Sequence, residues 1–535
     1  LGTLLQRARL GPIDMLAADR TGGSVGASPP GCAETMVAFG APRPIIRHRF
    51  GGHLRAVRTV TTGHAPHRTA APAGHSPSHL ETTAGPRAPG AQPPSGRTSV
   101  GGVDRATPAT DAGVPFVGGD CMKLSKFGAF AAIAVLAFSA CSSGGGGTSD
   151  KGTIQIWSEL PRQGSSKGQS DSIVNAINFK LSQINSKVDG WTIKYTDQDD
   201  STADAGKWTQ ERATALATDA SQTNDLVGYI GTFNSGAAKI VIPVLCTAGI
   251  PMVSPANTYP GLTKPGKGEA NEPDVYYPSG CKHNYFRVVP ADDLQGDAGA
   301  NWAKTLGVTS AYVLDDTEIY GKGIADVFEK SAPNYGITVL GHDQAPGKQT
   351  DYKALAAKIA VSNSGAAPDL VYYGGITQNN AGQLWKDLRQ AMPNVKLMGP
   401  DGIYEDAFLQ AAGDAAEGTY LTFGGTTADQ YQGDAAKWRD EFKTKYGDNS
   451  IEVYTIYGYE AANVLVAAIE TASKAGAKDA KALRSGTIDA LLATKDFKGV
   501  LGTWSFDQNG DTSNKLFSGT QVVSGKFEFK TTIGG

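Results

Sequence analysis

From residue 153 onward, short runs of apolar and β-branched residues alternate with longer segments in which apolar positions recur at intervals of three and four. The short runs predict strands over Thr153–Trp157, Thr192–Thr196, Leu226–Ile230, Met252–Ser254, Asn284–Val289, Ala311–Leu314, Thr338–His342, Leu370–Gly374 and Lys396–Gly399. The longer segments predict helices over Ser170–Ile184, Gly206–Asp219, Gly236–Ala248, Gln295–Thr305, Lys322–Ala332, Tyr352–Val361 and Asn380–Ala391. Strand and helix taking turns in this way is the signature of βαβ units, hence an α/β fold with mainly parallel sheets. About 385 residues of such units exceed a comfortable single core, so two lobes are expected. The polar, Gly/Pro-rich stretch 264–280 reads as a surface loop, and Arg287–Asp293 as the first crossing between lobes.

Composition sets the first 121 residues apart. They hold 12 of the 18 arginines and six of the eight histidines, while all 31 lysines come after Met122. Rich in Pro, Gly, Ala and Thr and almost without apolar periodicity, they cannot bury enough surface to offset the entropy of ordering. They are expected to be disordered or to lie upstream of the true start, with Met122 as that start. Met122–Lys126, the apolar run Phe127–Phe138 and Ser139-Ala140-Cys141 have the order of a signal peptide, its basic end, apolar stretch and small-residue cleavage site. The run is shorter than the roughly 20 residues a membrane-spanning helix needs. Phe138-Ser139-Ala140-Cys141 resembles the lipobox of bacterial lipoproteins, with Phe where Leu is usual. That resemblance implies residues 122–140 as the signal, Cys141 as the lipidated first residue and membrane anchor, and 141–150 as a Ser/Gly tether. An ordinary secretory cleavage leaving a free thiol is the alternative.

From Cys141 the chain carries 35 Lys plus Arg against 45 Asp plus Glu, a net charge near −10 that disfavours nucleic acid as a partner. Beyond Cys141 only Cys246 and Cys281 remain, an even pair suited to a disulfide in an oxidising compartment, with two buried thiols as the alternative.

Catalytic patterns are weak. Gly22-Gly-Ser24-Val-Gly26 has nucleophile-elbow spacing, but that motif needs a strand before the serine and a helix after it, and this one lies in the segment expected to be disordered or upstream of the start. His75 and His79 have metal-ligand spacing without a helix or an intervening glutamate. Asp507-x-Asn509-x-Asp511 begins like a calcium loop but has Thr512 and Ser518 where glycine and glutamate are required, so a turn is expected. No enzyme, cofactor or metal site is expected.

The residues with binding chemistry stand at strand ends, where open α/β sheets hold ligands. Gly231-Thr-Phe-Asn234-Ser235-Gly236 places a hydroxyl and free helix amides where an anion can sit, although Ser235 can equally be a plain helix N-cap. Ser254-Pro-Ala256-Asn-Thr258 follows the next strand.

Those segments come in order with Asp315-Asp-Thr-Glu-Ile-Tyr320-Gly-Lys-Gly323, Val371-Tyr-Tyr-Gly-Gly375, Leu397-Met-Gly-Pro-Asp401-Gly402, Gly413–Gly418 and Val500–Asp507. The colinear set, spanning about 153–524, resembles the branched-chain amino-acid-binding proteins, type I periplasmic binding proteins of ABC transporters. The resemblance implies two Rossmann-like lobes, 151–290 with 425–494 and 291–424 with 495–535, joined by three crossings around a ligand cleft. It implies that Ser235 and Thr258 hold an α-carboxylate, that the Ala256 carbonyl and Thr258 hydroxyl accept from an α-ammonium, that Tyr320 closes from the second lobe, and that Asp401 is the anionic partner. Asp401 stands where the family's leucine-type binders have glutamate; as a mere turn residue before Gly402 it would have no such role. Ile376 occupies the place of a pocket aromatic, and Trp157-Ser-Glu-Leu-Pro161 replaces a small-residue first loop, so Trp157 is expected either at the ligand or in the core. The implied function is extracytoplasmic capture of an amino acid or related small solute for an ABC permease. The alternatives are a sensor of the same fold coupled to a receptor, or a binder of an amide, urea or carboxylate.

Overall fold

The computed structural model describes residues 150–278 and 280–534. The upstream segment, the signal peptide, Cys141 and the Ser24 and His75/His79 patterns lie outside the described residues.

The first sheet is built from β1 (Gly152–Leu160), β2 (Lys187–Val188), β3 (Trp191–Asp199), then, past the small hairpin β4 (Ser201–Thr202) and β5 (Lys207–Trp208), from β6 (Leu226–Gly231), β7 (Met252–Ser254) and β8 (Tyr285–Arg287). The second uses β9 (Ser310–Asp315), β10 (Thr338–Gln344), β11 (Leu370–Gly374), β12 (Lys396–Gly399) and β13 (Tyr420–Gly424); after the hairpin β14 (Phe497–Gly499) and β15 (Gly502–Trp504) it is completed by β16 (Phe517–Val523) and β17 (Lys526–Ile533). The spatial orders are β2-β3-β1-β6-β7-β8 and β10-β9-β11-β12-β13-β16-β17. Every pairing is parallel except β2 with β3 and the β13-β16-β17 edge. This is the two-lobed α/β architecture expected from the alternation of strand and helix.

The helices are α1 (Lys167–Gln183), α2 (Gln210–Gln222), α3 (Ser235–Thr247), α4 (Asp292–Thr305), α5 (Ile319–Ser331), α6 (Lys353–Ile359), α7 (Ala381–Ala391), α8 (Asp406–Ala412), α9 (Gly433–Tyr446), α10 (Thr455–Lys474) and α11 (Ala480–Leu492). They cover both faces of each sheet, which is why β6, β9 and β11 are buried along their whole length. Adjacent residues of β11 show the two-sided packing directly. The Tyr372 ring stacks on Phe328 of α5 at 3.9 Å, and the next ring, Tyr373, meets Trp385 of α7 edge-on at 5.6 Å.

Three local expectations change. The helix expected from Gly206 starts at Gln210, because Gly206 takes φ +60° in a turn and Lys207–Trp208 pair with Ser201–Thr202. Thr209 then caps α2, its hydroxyl accepting from the Arg212 amide. β1 runs three residues past Trp157, so the first loop is Pro161–Ser166. Residue 495, expected to open the last segment of the second lobe, precedes a hairpin that packs on α10 through the Trp504 indole, which donates to Glu460 at 2.6 Å; the chain joins the second sheet only at β16. The loop at 264–280 is pinned in its middle and just past its C-terminal end. Cys246 is disulfide-bonded to Cys281 with the Cα atoms 5.7 Å apart. Buried Glu272 accepts from the Tyr259 and Tyr276 hydroxyls and the Glu269 amide, and pairs with Lys239 at 2.9 Å.

Candidate functional site

The carboxyl ends of β1, β6 and β7 face those of β9, β11 and β12 across a cleft lined by Ser166, Gln169, Phe233, Asn234, Ser235, Ala256, Thr258, Glu318, Tyr320, Ile376, Asp401, Gly402, Glu405 and Tyr454. Six of the seven expected ligand contacts are among them. Trp157 is not. With β1 extended, it lies mid-strand in the core with Ala213, Tyr229 and Met252, and its indole donates to Gln155 at 3.0 Å.

Hydrogen bonds between neighbouring loops fix the first-lobe wall. The Ser254 hydroxyl donates to the Thr232 carbonyl and accepts from the amides of Ala256 and Asn257, while the Asn257 amide group donates to the Phe233 carbonyl at 2.9 Å. Behind them the fully buried Arg287 donates to the Tyr259 carbonyl and to Asp511. Burial alone would raise the Asp511 carboxyl, but the Arg287 guanidinium outweighs it and holds the group below its ordinary range. The expected calcium-like motif is the turn that delivers Asp511 to this pair, closed by Asp507 accepting from the amides of Asn509 and Asp511.

Asn234, not Ser235, is the N-cap of α3, and its side chain makes no capping bond. Ser235 is the first helical residue, and its hydroxyl accepts from the Tyr259 amide at 3.4 Å. The first amides of a helix have no intrahelical partner. They open on the cleft beside Asn234 Oδ1, buried without a hydrogen-bond partner, and the Thr258 hydroxyl, whose polar neighbour is the Asp292 carboxyl. An uncapped helix start with a hydroxyl beside it is a seat for a carboxylate.

The opposite wall is anionic. Asp401, 3% exposed, accepts from Gln295 at 2.5 Å, from Tyr320 at 3.2 Å and from Tyr454. Tyr320 is itself positioned by the Gly402 amide, which donates to its hydroxyl at 3.0 Å. Burial raises the Asp401 carboxyl against the pull of these donors. Asp292, fully buried beside the Thr258 hydroxyl, is raised well above its ordinary value by burial and then by Asp401. Among the described residues, no Lys or Arg lines the cleft.

Contacts from both sides shut it. From the β4–β5 hairpin Lys207 pairs with Glu318 at 2.5 Å and the Trp208 indole donates to the same carboxylate at 3.0 Å. The Ser166 hydroxyl reaches Glu405 at 3.4 Å. What remains open is about 30 Å³, room for about one or two waters. The lobes must therefore part to admit a solute.

Ser166, Gln169, Phe233, Asn234, Glu318, Gly402, Glu405 and Tyr454 were not among the expected contacts. Ser165-Ser166 ahead of α1 is a small polar pair at a strand-to-helix turn, the signal that marked Ser235, and a correct end for β1 exposes it. Tyr454 and Glu405 carry no comparable mark.

A model of the periplasmic binding protein family matches residues 153–526. The chain belongs to that family. Among relatives of this periplasmic binding protein, a Leu/Ile/Val-binding protein of Rhizobium johnstonii is 29% identical over 312 residues, 57% of this chain and 77% of the relative. A leucine-, isoleucine-, valine-, threonine- and alanine-binding protein of Pseudomonas aeruginosa is 28% identical over 298 residues, 55% of this chain and 71% of the relative. The crystal structure of a leucine-binding protein of Thermotoga maritima superposes with a TM-score of 0.61 at 23% identity, covering 71% of this chain and 98% of the other. Among the described residues, no helix is long and apolar enough to cross a membrane.

Proposed function

We propose that this periplasmic binding protein captures an amino acid as its zwitterion outside the cytoplasm and delivers it to an ABC permease. The observation that carries the reading is the polarity of the cleft. The uncapped start of α3, with Ser235 and Thr258, faces a buried and raised Asp401 backed by Tyr320. A zwitterion withdrawn from water needs both ends paired. Here the carboxylate meets helix amides and hydroxyls, and the ammonium meets Asp401 and the Ala256 carbonyl. Curated relatives named for aliphatic amino acids support the ligand class.

Cys141 is the lipid-bearing residue in this proposal, anchoring the lobes to the membrane through the Ser/Gly tether; Cys141→Ser should release the protein into the soluble fraction. The Cys246–Cys281 bridge suits the same oxidising compartment. Calorimetric titration with a panel of L-amino acids, small amides, urea and plain carboxylates tests the ligand class. Heat on addition of an amino acid supports it, and heat only with amides, urea or carboxylates replaces it with one of those solutes.

A further inference from the structure

Beyond the zwitterion site the cleft ends in hydrogen-bond acceptors. Gln169, in the first turn of α1, is 2% exposed; its Nε2 leans on the Tyr404 carbonyl at 3.5 Å, and its Oε1 has no partner. Glu405, in the turn before α8, is 3% exposed; its Oε2 accepts from Ser166, its Oε1 has no partner in hydrogen-bond geometry, and its nearest polar neighbours are the Thr377 and Gln169 side chains. Both side chains line the cavity, where the charged residues are Glu318, Asp401 and Glu405. Lys207 already neutralises Glu318, and Tyr454, Gln295 and Tyr320 surround Asp401, which leaves Glu405 without a cation. A buried acceptor left unpaired is penalised far more than a paired one is rewarded.

We infer that the ligand is an amino acid whose side chain ends in N–H donors, an amide, amine or guanidinium, received by Glu405 Oε1 and Gln169 Oε1, and not a leucine-type hydrocarbon. Phe233 and Ile376 supply the apolar walls for the intervening methylenes. Burial pushes the Glu405 carboxyl up to about 7, and an arriving donor or cation opposes that shift by stabilising the carboxylate. This specificity rests on the zwitterion reading of the same cleft.

The test is calorimetric titration of the full chain with leucine, isoleucine, valine, glutamine, asparagine, lysine, ornithine and arginine, repeated on Glu405→Leu and Glu405→Gln, with thermal unfolding of each variant as a check on folding. For the wild type, one of the nitrogen-ended side chains should bind about 10- to 100-fold tighter than leucine. Glu405→Leu should lose that preference and bind leucine more tightly than the wild type does, a gain that mere structural damage does not give. Glu405→Gln separates the two chemistries: an amide ligand keeps its affinity within about threefold, whereas a basic one loses about 10- to 100-fold. Leucine, isoleucine or valine binding best to the wild type overturns the inference and leaves the zwitterion reading standing. If no amino acid binds at all, both fall.

Discussion

Replacing Asp401 by asparagine removes one charge from the cleft at nearly constant volume. The carboxylate is 3% exposed and sits beside Asp292, with no lysine or arginine among the described residues lining the cavity. An ammonium about 4 Å away gains roughly 4 kcal/mol from it at an effective dielectric near 20. Part of that gain offsets desolvation of the ligand, and the asparagine carbonyl still accepts from one of the donors Gln295, Tyr320 and Tyr454. The expected net loss is about 2–5 kcal/mol, or about 30- to several-thousand-fold in Kd. Because burial raises this carboxyl in the folded protein, its ionised form contributes no folding stability at neutral pH, so the variant should fold as well as the wild type. Calorimetric titration supplies Kd, and urea unfolding of the ligand-free proteins supplies stability. A variant that binds its amino acid within threefold of wild type refutes the charge assignment.

Stability of the ligand-free protein should fall as pH rises from 5 to 8. Burial raises Asp200 to about 8 and Asp316, Glu405 and Glu452 to about 7, and hydrogen bonds to the Asp315 and Glu329 carboxylates raise His342 to about 8. Groups raised on folding hold more protons in the native state, so their contribution is full below the unfolded pKa and lost through the folded one; His283, depressed by burial, opposes them. A melting temperature a few degrees higher at pH 5 than at pH 8 is the expected calorimetric result, and a flat or rising profile refutes it. Reducing or deleting Cys246–Cys281, which spans 35 residues, should lower stability by about 2–4 kcal/mol in urea unfolding while leaving Kd within a few-fold. Trp157→Ala should cost about 3–5 kcal/mol of stability by opening a core cavity, and Trp157→Phe should leave ligand affinity unchanged; a large change in Kd returns Trp157 to the site. Lys207→Met, removing the pair with Glu318 across the cleft, should weaken binding by about 3- to 10-fold, measured by titration at low and high salt.

The alternation of apolar runs and amphipathic segments revealed the α/β architecture because parallel strands buried on both faces leave continuous hydrophobic runs. It failed where burial and polarity part company. Ser158 and Glu159 are fully buried yet polar, held by Tyr195, Asp197 and Tyr229, and so β1 read as ending at Trp157. The β16–β17 hairpin was not among the strands read, although its two-residue Ser524-Gly525 turn and the alternation along β17 carry that signal. Ser235, Ala256, Thr258, Tyr320 and Asp401 were legible because each sits in a short motif at a strand end. Gln169, Glu405 and Tyr454 were not, because their meeting depends on how one lobe is set against the other, and no local spacing encodes that.

The most direct measurement is a calorimetric comparison of one matched trio: the amino acid that binds best, its desamino acid, and its decarboxylated amine. With the α3 start holding the carboxylate and Asp401 holding the ammonium, both truncated compounds should bind at least about 100-fold more weakly than the zwitterion. Retention of full affinity by either one shows that its missing charge is not recognised, and contradicts the assignment of the two ends of the cleft.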